Sequence, residues 1–204
     1  MGPRELIRLE AELEYGVLLR GDVIPVTPEN TANVSRMTVV RHADGYEMFF
    51  REGLSEAERV AFDSLSAELL FTLDVDEVTT LGTSLGTRYP IVDCRWYWIR
   101  RVPDPAEFPD VVRRDGRFVV LQNEEVAAEA WSSQCGARAE EVEVETRPEF
   151  RRRGYARQVV AAWTHAVLTE GKIALYSHLT ANDASRALAA SVGATWYADT
   201  REYV

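Results

Sequence analysis

The sequence has little with which to cross-link itself or hold a metal. It contains two cysteines, Cys94 and Cys135, and three histidines, His42, His165 and His178, scattered along 204 residues. Two thiols without histidines at ligand spacing make no metal site, so no metal is expected and both cysteines read as free thiols. Long apolar runs are also missing. The longest, around Leu69–Leu73 and Val159–Trp163, fall far short of the ~20 residues a membrane-spanning helix needs, and no membrane partner is expected. The opening stretch MGPRELIRLEAELEYG carries four acids and no apolar run of signal-peptide length, which points to a cytoplasmic protein. Positive charge is short too. With 33 acids against 23 lysines and arginines, the formal charge of −10 argues against a surface built to neutralise phosphate backbones, so nucleic acid is not an expected partner. What the chain does have is 46% hydrophobic residues, enough to bury a core and to exclude disorder.

Leu6, Leu9, Leu13 and Val17 recur at helical spacing and predict an amphipathic helix ending near Gly21. Pro25 to Asn33 reads as a loop. RMTVVR and YEMFF flank His42-Ala43-Asp44-Gly45, a hairpin with Asp-Gly in its turn. Ser55 followed by Glu58 is a capping box, and Ala57, Val60, Ala61, Leu65 and Leu69 give the helix behind it one continuous apolar face. CRWYWIR, Cys94 to Arg100, has the aromatic density of a strand. Alternation forbids Trp96, Tyr97 and Trp98 from sharing one face, so two belong in the core and the third is left for a pocket wall. Pro103-Asp104-Pro105 and Pro109 mark the internal boundary, separating an N-terminal region, 1–109, from a C-terminal core, 110–204.

Past that boundary, RFVVLQ, EVAAEAWSS and EVEVET predict an antiparallel meander. A helix follows from Tyr155 to Glu170 and stops at Gly171; then come a strand, IALYSHL, and a helix capped by Asn182 that runs from Asp183 to Val192 and stops at Gly193. ATWYA and REYV close the pattern as two short strand-like pieces. The class is mixed α and β.

Within VETRPEFRRRGYARQVV a strand runs into a loop of arginines and glycine that opens directly into a helix. Helix-start N–H groups have no intrahelical partners and carry the positive end of the macrodipole, so such a place binds anions. Arg151, Arg152 and Arg153 add charge-assisted donors, Gly154 permits dihedrals closed to other residues, and Ala156 keeps the next point of approach small. Taken alone, RRRG reads more readily as a solvated loop.

Arg151-Arg152-Arg153-Gly154-Tyr155-Ala156 resembles the R/Q-x-x-G-x-G/A signature of the GNAT superfamily of N-acetyltransferases. Thr146 with Arg151, and the run Asn182, Ser185, Leu188, Ala189 and Gly193, resemble the branch with T-x-x-x-x-R-x-x-G-x-A and N-x-x-S-x-x-L-A motifs. The resemblance covers about Arg117 to Tyr203 and implies an α+β fold with a mixed, mainly antiparallel central sheet flanked by helices. It implies acetyl-CoA as co-substrate. Val144, Glu145 and Thr146 would then line its pantetheine arm; Arg151, Arg152, Arg153, Gly154, Tyr155, Ala156 and Arg157 would hold the pyrophosphate; Asn182 and Ser185 would lie further along it. Asn182 also makes sense simply as a helix cap. Residues 1–109 fall where such enzymes put acceptor-side elements. One departure stands out: many members carry a proton-donating tyrosine at the position held here by Ala189.

The reaction implied is direct attack of an amine on the acetyl thioester, which needs a base for the ammonium proton and N–H donors for the oxyanion. Glu143 is the first candidate base and Glu141 the second, with Glu140 just upstream. Glu141, Glu143 and Glu145 alternate on one strand face, where burial would raise a carboxylate's pKa; the same spacing also describes a solvent-facing acidic row. Cys135 has no histidine placed to activate it, and His178 reads as a strand residue able to reach the cleft. The expected function is N-acetylation of a small-molecule amine by a monomer or homodimer. The alternative is a catalytically silent acyl-CoA-binding regulatory module, suggested by Ala189.

Overall fold

The computed structural model describes residues 1–32 and 34–204, so the Asn33 end of the expected Pro25–Asn33 loop lies outside the described residues. In chain order the elements are α1 (Pro3–Tyr15), β1 (Val23–Ile24), β2 (Met37–His42), β3 (Gly45–Arg51), α2 (Glu56–Asp63), α3 (Ala67–Thr72), α4 (Val75–Ser84), β4 (Ile91–Ile99), β5 (Val111–Arg114), β6 (Arg117–Gln122), β7 (Glu125–Cys135), β8 (Ala139–Thr146), α5 (Tyr155–Thr169), β9 (Ile173–Leu179), α6 (Asp183–Ser191) and β10 (Thr195–Tyr203). The class is α+β, with mainly antiparallel strands flanked by helices, as expected. Two compact units are formed, one from Met1–Arg95 with Tyr197–Val204 and the other from Trp96–Trp196.

In the first unit the strands run β1-β3-β2-β10. Helix α1 stops at Gly16, earlier than the expected Gly21, because Gly16 takes the left-handed conformation and returns its N–H to the carbonyls of Glu12 and Leu13. The capping box at Ser55 and Glu58 forms, yet its helix is short. Ser66 adopts an extended conformation and caps a new helix through Leu69 N–H, so the continuous apolar face expected from Ala57 to Leu69 is split between α2 and α3. Asp74 and Glu77 then make a second capping box, at α4. Together these helices cover Met37, Val39, Phe50 and Tyr203 with Phe62, Leu70 and Val78. The expected pieces ATWYA and REYV are one strand: β10 pairs with β2 without a break from Ala198↔His42 to Tyr203↔Met37. Buried Asp199 survives mid-strand because Arg41 and Arg95 both reach it, at 2.7 and 2.6 Å.

In the second unit the order is β9-β8-β7-β6-β5. The β6-β7-β8 meander is antiparallel as read from sequence, and β5 joins it through an Asp115-Gly116 turn with both residues at positive φ. Helix α5 lays Val159, Val160, Trp163 and Val167 on a floor of Val120, Ala127, Ala128, Ala130 and Val142. The alanines of β7 let the helix sit close to the sheet. Trp96 and Tyr97 are buried, and Trp98 is half-buried under Arg100, whose guanidinium lies 4.6 Å from the ring.

Candidate active site

The site begins where one ladder ends. Strands β8 and β9 run parallel and pair through Ala139↔Ile173, Glu140↔Ala174 and Glu141↔Leu175 only. Beyond Glu141, β8 continues to Thr146 on the β7 ladder, while β9 continues to Leu179. The stretch Val142–Thr146 is therefore laddered on one edge, leaving the other to an extended ligand. Opposite this point β7 carries a bulge between Ser132 and Gln134, and bulges bend a strand away from its neighbours.

At its far end β8 meets the arginine loop. Arg152 has φ +61° and Gly154 φ +82°. A Cβ on Gly154 would touch nothing within 4 Å, so the constraint here is the left-handed backbone rather than crowding. Gly154 is the N-cap of α5; no side chain caps the helix and no acid occupies its first turn. The first-turn N–H groups and the dipole thus stay available to an anion. Arg151, Arg152 and Arg153 are exposed, Tyr155 and Ala156 half-buried, and Arg157 exposed. Arg151 Nε donates to Thr146 O at 3.3 Å, fastening the loop to the end of β8, and Arg157 reaches Glu107 at 3.4 Å.

A cavity of about 570 Å3 lies here, lined by Val144, Glu145, Thr146, Arg147, Pro148 and Arg151 together with Val126–Glu129 of β7. Four of these are residues expected at the site; the β7 wall was not. Thr146 Oγ1 is buried and has no hydrogen-bond partner. An orphaned hydroxyl beside an open strand edge and an uncapped helix start suits a long ligand with amide groups and a phosphate end.

The carboxylates of β8 separate sharply. Glu141, at the last laddered position, is half-buried and accepts a 2.5 Å hydrogen bond from Ser177 Oγ. Burial pushes its pKa up; the Ser177 hydroxyl opposes this and the nearby charge of Glu143 adds to it. Glu143 and Glu145 are exposed, so the burial expected at Glu143 occurs at Glu141 instead. Glu140 points to the other face, where it accepts from Ser132 Oγ at 2.5 Å and pairs with Lys172, while Trp163 Nε1 donates to Ser132 Oγ at 2.8 Å.

Across the fork, Asn182 Oδ1 caps α6 by accepting from Ser185 N–H at 3.0 Å, so the cap role read from sequence is realised. Ser185 Oγ lies 2.6 Å from Tyr176 Oη. Ala189 is fully buried. His178 stacks on Tyr97 with ring centroids 5.4 Å apart, and its Nε2 is 3.2 Å from Tyr97 Oη. Tyr176 and Ser177 were not singled out from the sequence, although the alternation of IALYSHL assigns Tyr176 and His178 to one face and Ser177 to the other. Neither cysteine forms a disulfide; Cys94 is half-buried and Cys135 exposed. Among the described residues no helix is long and apolar enough to cross a membrane, and no cluster of three or more potential metal ligands occurs.

Residues 113–204 match the family model for GNAT acetyltransferases. A GCN5-related N-acetyltransferase-like protein from Streptococcus suis 89/1591 shares 14% identity across all of both chains, at a TM-score of 0.49. A GNAT-family acetyltransferase from Colwellia psychrerythraea shares 12% over all of this chain and 98% of its own, at 0.47. A protein placed in the GNAT family from Novosphingobium aromaticivorans DSM 12444 shares 20% at 0.46, the match spanning 55% of this chain and 64% of that one. No curated protein matches the chain.

Proposed function

We propose that the protein, whose residues 113–204 match the GNAT acetyltransferase family model, transfers the acetyl group of acetyl-CoA to a primary amine, a small molecule in the first instance, by direct attack. The observation that carries this reading is the fork beyond Glu141, where a half-buried carboxylate stands beside an open strand edge that leads to an anion-binding helix start. Acetyl-CoA supplies the activated acyl group as a thioester. The open edge at Val144, Glu145 and Thr146 takes the pantetheine arm, and the Thr146 hydroxyl gains the partner it lacks. Arg151, Arg152, Arg153, Gly154, Tyr155, Ala156 and Arg157 hold the pyrophosphate with first-turn N–H groups and guanidinium charge. Asn182 lies further along the ligand. Its Oδ1 is committed to the cap, so its amide nitrogen is the atom left to donate.

An alkylamine arrives protonated at neutral pH and must lose a proton before it attacks. Glu141 is the base in this reading, because a carboxylate with a raised pKa is better matched to that task; exposed Glu143 assists through its charge. Residues 1–109 contribute acceptor-side elements, and the net charge of −10 favours cationic acceptors in a cytoplasmic monomer or homodimer. Release of free CoA from acetyl-CoA across a panel of amines and protein N-termini tests the proposal. Binding of acetyl-CoA without turnover on any acceptor would instead support the catalytically silent acyl-CoA-binding module, a reading favoured by the methyl group at Ala189.

A further inference from the structure

Two hydrogen-bonded pairs stand on opposite faces of the same ladder end. Leu175 is the last β9 residue paired to β8, and the next two side chains diverge. Ser177 goes to one face and binds Glu141 at 2.5 Å. Tyr176 goes to the other, where its Oη lies 2.6 Å from Ser185 Oγ and 3.2 Å from Ser185 O. Asn182, Ser185 and Ala189 are spaced to share one face of α6, so the phenol of Tyr176 reaches that face one turn before Ala189. Ala189 and Tyr176 are buried in the same core cluster, and the small side chain at 189 leaves the ring its place. Tyr176 is 1% exposed while Ser185 is half-buried, so Ser185 is the more accessible member of the pair.

We propose that the Ser185–Tyr176 hydroxyl pair is the proton donor to the leaving sulfur, with Ser185 as the contacting group and Tyr176 as the positioning residue behind it. The proposal rests on the acetyl-transfer reading above. In the step, the amine nitrogen bonds to the acyl carbon and the carbon–sulfur bond breaks, leaving its electron pair on sulfur. Ser185 gives that pair its proton and Tyr176 refills Ser185. The proton shed by the nitrogen, passed through Glu141 and solvent, refills Tyr176. Burial holds the Tyr176 phenol above its ordinary pKa, so it carries its proton at neutral pH. Tyr97 and His178 are the other titratable groups against this ring, at centroid distances of 6.3 and 6.4 Å.

The test needs no acceptor. The affinities of CoA and acetyl-CoA for the full chain are measured by calorimetry from pH 7 to 9.5. CoA has an ionisable thiol and acetyl-CoA has none, so the ratio of the two cancels pH effects that the ligands share. A donor facing sulfur lowers the thiol's pKa in the complex. A lowering of one unit makes CoA about fivefold or more tighter, relative to acetyl-CoA, at the top of the range than at the bottom. That gain is expected in the wild type and in Ser185→Thr, and its loss in Ser185→Ala and Tyr176→Phe, read as the CoA to acetyl-CoA ratio so that any change in affinity shared by the two ligands cancels. A gain absent from the wild type, or surviving in either variant, overturns the proposal. If Tyr176→Phe does not fold, Ser185→Ala decides alone. If neither ligand binds the wild type, the acetyl-transfer reading itself falls, and this inference with it.

Discussion

Where β8 passes from its closed part, paired to β9, to its open part, two adjacent carboxylates stand in opposite situations. At the closed end Glu140 is bound by Lys172 and Ser132, and Trp163 completes the network beneath α5. At the border with the open part Glu141 has a hydroxyl partner and a raised pKa, and the strand beyond it has lost a neighbour. One residue of pleat separates them. A strand that changes from two ladders to one divides its charges into those held for structure and those left for chemistry, and the point of change is where a functional carboxylate should be sought.

The division is broken most severely if Glu141 is neutralised. Glu141→Gln is expected to lower kcat by about 10²–10⁴, the scale of a lost general base, and to remove the acidic limb of the pH–rate profile while acetyl-CoA still binds. Glu143→Gln should keep most of the activity. If turnover instead falls at Glu143→Gln and not at Glu141→Gln, burial has pointed to the wrong carboxylate.

Trp163→Ala attacks the closed end. Removing a side chain that is 1% exposed should cost about 3–5 kcal/mol of stability, measured by denaturant unfolding. A loss below about 1 kcal/mol would show that the network is ornamental. Gly154→Val acts only at the open end: at acetyl-CoA concentrations about 100-fold over Kd, the wild type should gain about 2.7 kcal/mol from the ligand, and the variant should gain none while remaining folded. A thermal shift retained by Gly154→Val would move the anion away from the start of α5.

The smallest effect sharpens the contrast through pH. Glu141 holds its proton more tightly in the folded state, so its contribution to stability is fully present below the unfolded pKa and is lost as pH rises through the folded value. Glu141→Gln should therefore melt slightly higher than wild type at pH 7, with the difference fading as the pH drops below the ordinary carboxylate range. A variant that melts lower than wild type at pH 7 would mean that the Ser177 bond outweighs burial.

Local chemistry explains what the sequence revealed. The β2–β3 hairpin, the Ser55–Glu58 box, the cap at Asn182 and the glycine stops after α5 and α6 all depend on residues within a few positions of one another, and the meander and the arginine loop were legible for the same reason. What stayed hidden was settled over distance. Asp199 reads as a turn residue until Arg41, 158 positions away, and Arg95 neutralise it within β10. Which of Glu141 and Glu143 is the more buried turns on where β9 leaves β8, and nothing in EVEVET marks that residue. The β7 wall of the cavity was missed because its alanines carry no chemistry of their own. The break at Ser66 and the Asp74–Glu77 box were readable, but the apolar run across them masked the signal.

The return of β10 to the first unit has a consequence for synthesis. Strand β2 lies near the start of the chain, and its partner from Ala198 to Tyr203 is made some 160 positions later. At the usual 5–20 residues per second, the first 95 residues wait about 5–20 s before Tyr197 and its successors are made. Through that interval the edge of β2 and the apolar seat of Tyr203 beside Phe62 and Tyr89 stand open on the nascent chain. The first unit is thus begun before the second and able to close only after it, and until then its stability depends on whatever shields that edge.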